Sequence, residues 1–114
     1  TGFGYTRERR SEQAAVVAEL LPQVRDIRRL GAAAVYLCHI AAGRCDGYYE
    51  RGLNPWDVAA GGLIAAEAGV SVTGVPGLPR PVADAWWGRH DDLVIAAPRP
   101  LHRDLQLALR RAGA

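Results

Sequence analysis

Apolar residues recur at two different spacings along this chain, and the spacing changes wherever Gly or Pro interrupts it. From Arg7 to Leu21, apolar positions such as Ala14, Val17 and Leu21 return at intervals of three and four within an Arg-rich background, and Pro22 closes the run. That period predicts a helix with one buried side. Val24 to Leu30 is short and charged, a candidate strand. Ala32 to Ala42 is a run of mostly small residues between Gly31 and Gly43, which predicts a helix with a glycine stop. Cys45 to Glu50 reads as a strand carrying Tyr48 and Tyr49, and the turn Gly52–Pro55 follows it.

The next apolar run has defined ends. Asn54 can cap a helix, and Pro55 suits the first helical position, whose N–H has no intrahelical partner. The helix should run to about Ala68, with Trp56, Ala60, Leu63 and Ile64 as its buried stripe and Gly69 ending it. Val70 to Thr73 is a brief strand. Residues 74 to 90, containing GVPGLPRP, are loop-rich. Leu93 to Ala97 is a clean apolar strand, and Leu101 to Ala112 an amphipathic helix. Strands alternating with helices of this length predict an α/β layered fold, with flanking helices on a mixed sheet that has one exposed edge.

Composition narrows this picture. At 114 residues and 12.3 kDa the chain is one domain at most. Hydrophobic residues are 49% and charged residues 23%, the balance of an ordered soluble domain. No apolar stretch approaches the roughly 18 to 20 residues that cross a bilayer, so no membrane partner is expected. The opening Thr-Gly-Phe-Gly-Tyr has neither Met nor a signal-peptide pattern, which suggests a start after processing or within something longer. The 14 basic residues are all Arg and are spread along the chain. A nucleic-acid surface would cluster them beside stacking aromatics, so that partner is not expected either. Cys38 and Cys45 lack zinc-like spacing and read as reduced thiols of a cytoplasmic protein.

Asp57 is the residue this outline leaves unexplained. With Asn54 as cap it is the third helical residue, where the helix macrodipole favours an ionised carboxylate by about 0.3 to 1 kcal/mol. One reading is capping alone. The other is a ligand for a hard metal such as Mg²⁺, which takes one or two protein carboxylates together with waters and phosphate oxygens. Glu50, seven residues earlier at a strand end, would flank the same mouth or be a solvated acid. Asp46 reads as structural within that strand. Gly31-Ala32-Ala33 opens a helix with small residues and free backbone N–H groups, which permits either close approach of a ligand or close helix packing.

Taken together, these residues resemble the inositol monophosphatase family. The run Trp56-Asp57-Val58-Ala59-Ala60-Gly61, followed by Glu67-Ala68-Gly69, is similar to that family's C-terminal signature. Upstream, Gly31-Ala32-Ala33-Ala34 through Cys38 and then Asp46-Gly47-Tyr48-Tyr49-Glu50 fall in the family's order and spacing. Thr1-Gly2-Phe3-Gly4-Tyr5 resembles the stretch opening its C-terminal half, and Val94-Ile95-Ala96-Ala97 with the last helix fits its end. The resemblance implies the C-terminal half of an αβαβα fold and a magnesium-dependent, lithium-sensitive phosphomonoesterase acting on a small phosphorylated polyol. It further implies Asp57 as a Mg²⁺ ligand steadied by packing of Trp56, Glu50 as a hydrogen-bond partner of a substrate hydroxyl, and Gly31, Ala32 and Ala33 as contacts to the inositol-like ring. Members of the family are commonly dimers.

The departures are equally specific. The family's other metal ligands lie in a Gly-Glu-Glu stretch and an Asp-Pro-Ile-Asp-Gly-Thr stretch, and neither occurs here. One carboxylate cannot hold a site of two or three metals, so the expected partner is the N-terminal half of the same enzyme. Gly74-Val75-Pro76-Gly77-Leu78-Pro79 replaces a Gly-Gly-Pro-Phe-like stretch, and Asp84-Ala85-Trp86-Trp87 has no counterpart. Glu50 with two tyrosines favours inositol phosphate over adenosine bisphosphate, and histidinol phosphate is the nearer competitor. The contrasting reading is a non-catalytic module whose exposed apolar surface is covered by self-association or a partner.

Overall fold

A three-stranded sheet lies between two pairs of helices in the computed structural model, which describes residues 1–74 and 93–114. In chain order the elements are α1 (Arg7–Leu20) with a 3-10 turn over Leu21–Gln23, α2 (Ala33–Ala41), β1 (Tyr48–Arg51), α3 (Pro55–Glu67), β2 (Val70–Thr73), β3 (Leu93–Pro98) and α4 (Arg99–Arg111). The sheet order is β1-β3-β2. Both pairings are antiparallel, with Tyr48 opposite Ala96 on one side of β3 and Thr73 opposite Ile95 on the other. A mixed sheet was the sequence expectation; the described strands are antiparallel throughout.

The middle strand shows why this order is stable. Leu93 to Ala97 are all buried, and successive side chains turn to opposite faces. Val94 and Ala96 join Tyr36, Leu37 and Ile40 of α2 and Val58 and Ala65 of α3 in one core cluster. Leu93 and Ile95 join Val16 and Leu20 of α1 and Leu109 of α4 in the other. β3 therefore reads as an unbroken apolar run because each face has its own helical layer.

Helix ends follow local chemistry. The Thr6 side chain accepts from the Arg9 amide at 3.2 Å and starts α1. A capping box between Asn54 and Asp57 starts α3. α2 opens at Ala32 without a side-chain cap, after Gly31 at φ +88°. The two inner helices meet closely at Gly61, where an added Cβ would lie 2.9 Å from Leu37 Cβ and 3.2 Å from Ala34 O.

Several expectations require correction. Val24–Leu30 is not a strand: none of the described strands runs beside it, and its polar groups are satisfied differently. Arg28 O accepts from the Thr1 nitrogen at 3.2 Å and faces the Tyr36 hydroxyl at 2.9 Å, while the Leu30 amide donates to that hydroxyl. The buried stripe of α3 is Val58, Gly61 and Ala65, not Trp56, Ala60, Leu63 and Ile64, which are exposed. The buried side of α1 is Val16 and Leu20; Ala14 and Leu21 are exposed and Val17 half-buried. In both helices several apolar residues lie outside the buried stripe, so periodicity alone could not choose the face. β1 starts at Tyr48, leaving Cys45 and Asp46 in the bend before it. The loop-rich 74–90 segment, Trp86 and Trp87 included, lies almost entirely outside the described residues.

Candidate functional site

The start of α3 holds Asp57 rigidly. Its Oδ2 accepts from the Asn54 backbone N–H at 2.8 Å and from Asn54 Nδ2 at 3.3 Å. The Asp57 amide donates to Asn54 O at 3.0 Å. Among the described residues no hydrogen bond falls on Oδ1, so this carboxylate caps with one oxygen and keeps the other. The capping and metal-ligand readings are thus compatible in one side chain. Trp56 is not packed against Asp57 among the described residues. It is 76% exposed, so the packing expected to steady Asp57 is not formed among the described residues, where the capping box holds the carboxylate.

Glu50 reaches the same neighbourhood from β1. Tyr48, two residues back on the same face of the strand, donates its hydroxyl to Glu50 Oε2 at 2.8 Å. Gly2 lies against this carboxylate: a Cβ there would fall 2.0 Å from Glu50 Oε1. The Tyr48 ring stacks on Tyr36 of α2, with centroids 4.9 Å apart and planes 18° from parallel. The Tyr36 hydroxyl lies 2.7 Å from Thr1 O and 2.9 Å from Arg28 O, sharing its single proton between them. The Gly31 amide also faces it.

The electrostatics tie these pieces together. Burial first, then the charge and hydrogen bond of Glu50, push the Tyr48 hydroxyl well above the ordinary phenol range, and Tyr36 and Asp57 add to the shift. Burial likewise raises Tyr36, with Glu50 contributing. Both carboxylates therefore act on one tyrosine pair, and the segment opening α2 is bonded to the other end of that pair. The structure brings Asp57, Glu50 and the Gly31–Ala33 turn around Tyr36 and Tyr48. Asp46 is exposed and shares a cavity wall with Thr1 and Tyr36, not with Asp57 or Glu50. Sequence reasoning singled out the three ligand candidates but gave no role to the Tyr36 and Tyr48 hydroxyls or to Gly2. A tyrosine alone in a helix of small residues was the available signal for Tyr36.

A metal ion here would find one suitable donor. Asp57 Oδ1 is a hard oxygen at a helix start, which fits Mg²⁺ as one member of a ligand set. Among the described residues no group of three or more His, Cys, Asp and Glu could hold an ion. Cys38 and Cys45 are free thiols. No helix among the described residues is long and apolar enough to cross a membrane. A cavity of about 320 Å³ opens beside the far end of this network, where Thr1, Tyr36 and Asp46 line it together with Leu20, Ile27 and Leu105, and it includes neither Asp57 nor Glu50.

Comparison with known proteins gives one consistent result. Residues 1–111 match the inositol monophosphatase family. An inositol-1-monophosphatase of Mycobacterium leprae is 49% identical over 111 residues, covering 97% of this chain and 36% of that protein. A Vibrio cholerae relative named Nus factor SuhB is 46% identical over 78 residues, 68% of this chain and 29% of its own length. Among solved structures, the inositol monophosphatase of Anabaena (Nostoc) superposes with a TM-score of 0.77 at 36% identity, covering 96% of this chain and 42% of that one. The chain thus spans little more than a third of the length of the mycobacterial relatives it matches.

Proposed function

The chain belongs to the inositol monophosphatase family, and on that premise we propose that it supplies the C-terminal lobe of a Mg²⁺-dependent phosphomonoesterase. Its substrate is inositol 1-phosphate or a similar small polyol phosphate, hydrolysed to the alcohol and phosphate. The observation that carries this reading is Asp57, fixed by its capping box through one oxygen while the other has no hydrogen bond among the described residues, with Asp57 and Glu50 both acting on Tyr48.

Each residue has a part that its surroundings support. Asp57 would give Oδ1 to a Mg²⁺ ligand set completed by carboxylates of the N-terminal half. Glu50, its carboxylate held by Tyr48 and backed by Gly2, is the acceptor for a substrate hydroxyl. The α2 start, without a side-chain cap and without bulky groups at Gly31, Ala32 and Ala33, lets the ring approach backbone N–H groups. Bound Mg²⁺ supplies an activated water and stabilises the leaving oxygen. The work of this lobe is to orient the substrate.

Asp57→Asn in the complete enzyme tests the reading. Asn keeps a capping group, so stability should move by less than about 1 kcal/mol. Turnover should fall by at least about 10- to 100-fold, the loss typical even of groups that only support metal ligands. Unchanged kinetics and metal dependence would remove Asp57 from the site. Assays of inositol 1-phosphate, histidinol phosphate and adenosine bisphosphate side by side rank the substrates; inositol 1-phosphate is expected to lead. A cytoplasmic, lithium-sensitive homodimer accompanies this reading, checked by inhibition and solution mass.

A further inference from the structure

The cavity on the α1/α4 side of the sheet has a lining that the phosphate chemistry does not use. Most of it is apolar: Leu20 of α1, Val24 and Ile27 of the segment after it, and Leu101, Leu105 and Ala108 of α4. At about 320 Å³ it falls within the size range of small-molecule sites, roughly 300 to 1,000 Å³. The charges around it are mainly acidic, with Asp26, Asp46 and Asp104 against one arginine, Arg28. Arg28 is bonded to Asp26, so those two charges cancel. The Thr1 nitrogen donates to Arg28 O, and burial pushes its pKa down to about 6, so it adds little positive charge at neutral pH. Asp46 and Asp104 remain, both exposed and neither in a hydrogen bond or ion pair among the described residues. They come from different elements yet flank one contact. Asp46 precedes Gly47 and Asp104 precedes Leu105, and a Cβ on Gly47 would lie 3.0 Å from Leu105 Cδ2. A cation bound there relieves the repulsion of two like charges. Tyr49 marks the same wall as unfinished core. Its Oη, on which the Thr1 side chain acts, is buried with no hydrogen-bond partner among the described residues, whereas buried hydroxyls are ordinarily bonded.

We propose that this cavity binds a small organic cation with an apolar body, an arylalkylamine by chemical class. The body lies among Leu20, Ile27, Leu101 and Leu105, and the ammonium group sits at the rim between Asp46 and Asp104. A bare metal ion fits less well, because among the described residues no group of three His, Cys, Asp and Glu could hold one. An anion of the same shape meets two unpaired carboxylates and is rejected. The site includes neither Asp57 nor Glu50, so the proposal does not depend on the phosphatase reading.

Two native thiols supply the reporter and its control. Cys45 lines the cavity and Cys38 does not, and both are free. In the protein as its gene produces it, maleimide labelling of each thiol is read by peptide mass with and without phenethylammonium, and binding is measured alongside by calorimetry. Phenylpropionate, of similar shape and opposite charge, and ethylammonium, which has the charge without the ring, are the comparison probes. Phenethylammonium at up to about 10 mM is expected to bind and to slow labelling of Cys45 but not of Cys38, while the other two do neither. Asp46→Asn and Asp104→Asn change exposed side chains and leave the core untouched. Each should weaken phenethylammonium binding by about 1.5- to 5-fold, the range of exposed ion pairs, and the double variant by more. Added salt should shrink these differences. Equal binding of phenylpropionate and phenethylammonium overturns the proposal, as does an affinity unchanged in the double variant. Binding that leaves Cys45 labelling unaltered also overturns it and places the amine elsewhere. So does failure of phenethylammonium to bind; if Cys45 is then also closed to maleimide, polypeptide fills the cavity instead.

Discussion

Tyr48 joins two carboxylates that sequence reasoning had placed only by their spacing. Its hydroxyl is buried and donates to Glu50, so Tyr48→Phe leaves a half-buried carboxylate short of a donor. The expected cost is about 1 to 3 kcal/mol, measured by urea unfolding at neutral pH. The same burial sets a pH dependence. The folded-state pKa of Tyr48 is raised, so the native state keeps its proton where the unfolded chain has lost it. The stabilisation is complete below the unfolded phenol value of about 10 and declines as pH rises past it. Tyr36 and Tyr49 shift in the same direction, so Tyr48→Phe should flatten, not abolish, the alkaline loss of stability. Gly2 offers a second test. A methyl group there meets the Glu50 carboxylate, so Gly2→Ala should displace it and raise KM for a polyol phosphate more than it lowers kcat. At this scale Asp57 and Glu50 were legible as acids at element ends, and their places in the structure bear out that much. The linking hydroxyls were not legible, because a Tyr sequence position does not say whether the ring is core or site.

Elements were legible where local chemistry sets their ends. Asn54, Pro55 and Asp57 start α3 as the sequence requires, and Gly43 at φ +67° and Gly69 at φ +83° follow α2 and α3. What failed was the choice of face in helices with more apolar residues than one buried stripe needs. In α3, Trp56, Leu63 and Ile64 outweigh Val58, Gly61 and Ala65 in hydrophobic bulk, yet the small residues face α2 because only they allow that approach. Gly61→Val tests the point. Its side chain would press on Leu37 and Ala34 O, and overpacking of this kind costs about 1 to 3 kcal/mol, read as a lower Tm. Val24–Leu30 shows a second failure: β-propensity predicts a strand, but a strand needs a neighbour, and the described chain provides none.

At the scale of the molecule, fold class and family were legible together, since the ordered motifs from Thr1 to Gly69 carry both. Less than half of the matched Anabaena structure is represented, and the described residues offer one metal-ligand candidate where the proposed chemistry needs several. The 114-residue chain by itself is therefore expected to show no magnesium-dependent phosphate release above background; turnover by the purified chain alone would contradict the half-site reading. The sheet order β1-β3-β2 adds a constraint of timing. Among the described strands β1 and β2, separated by α3, do not pair with each other; both pair with β3, which follows them in the chain. Without Leu93–Pro98, β1 and β2 lose the one neighbour that each has among the described strands. Long-range strand pairing is slow and leaves unpaired edges exposed while it waits. Translation that stalls before Leu93 should leave a product fit for proteolysis, whereas a product that keeps β3 and α4 through Leu109 retains the sheet with both of its core clusters.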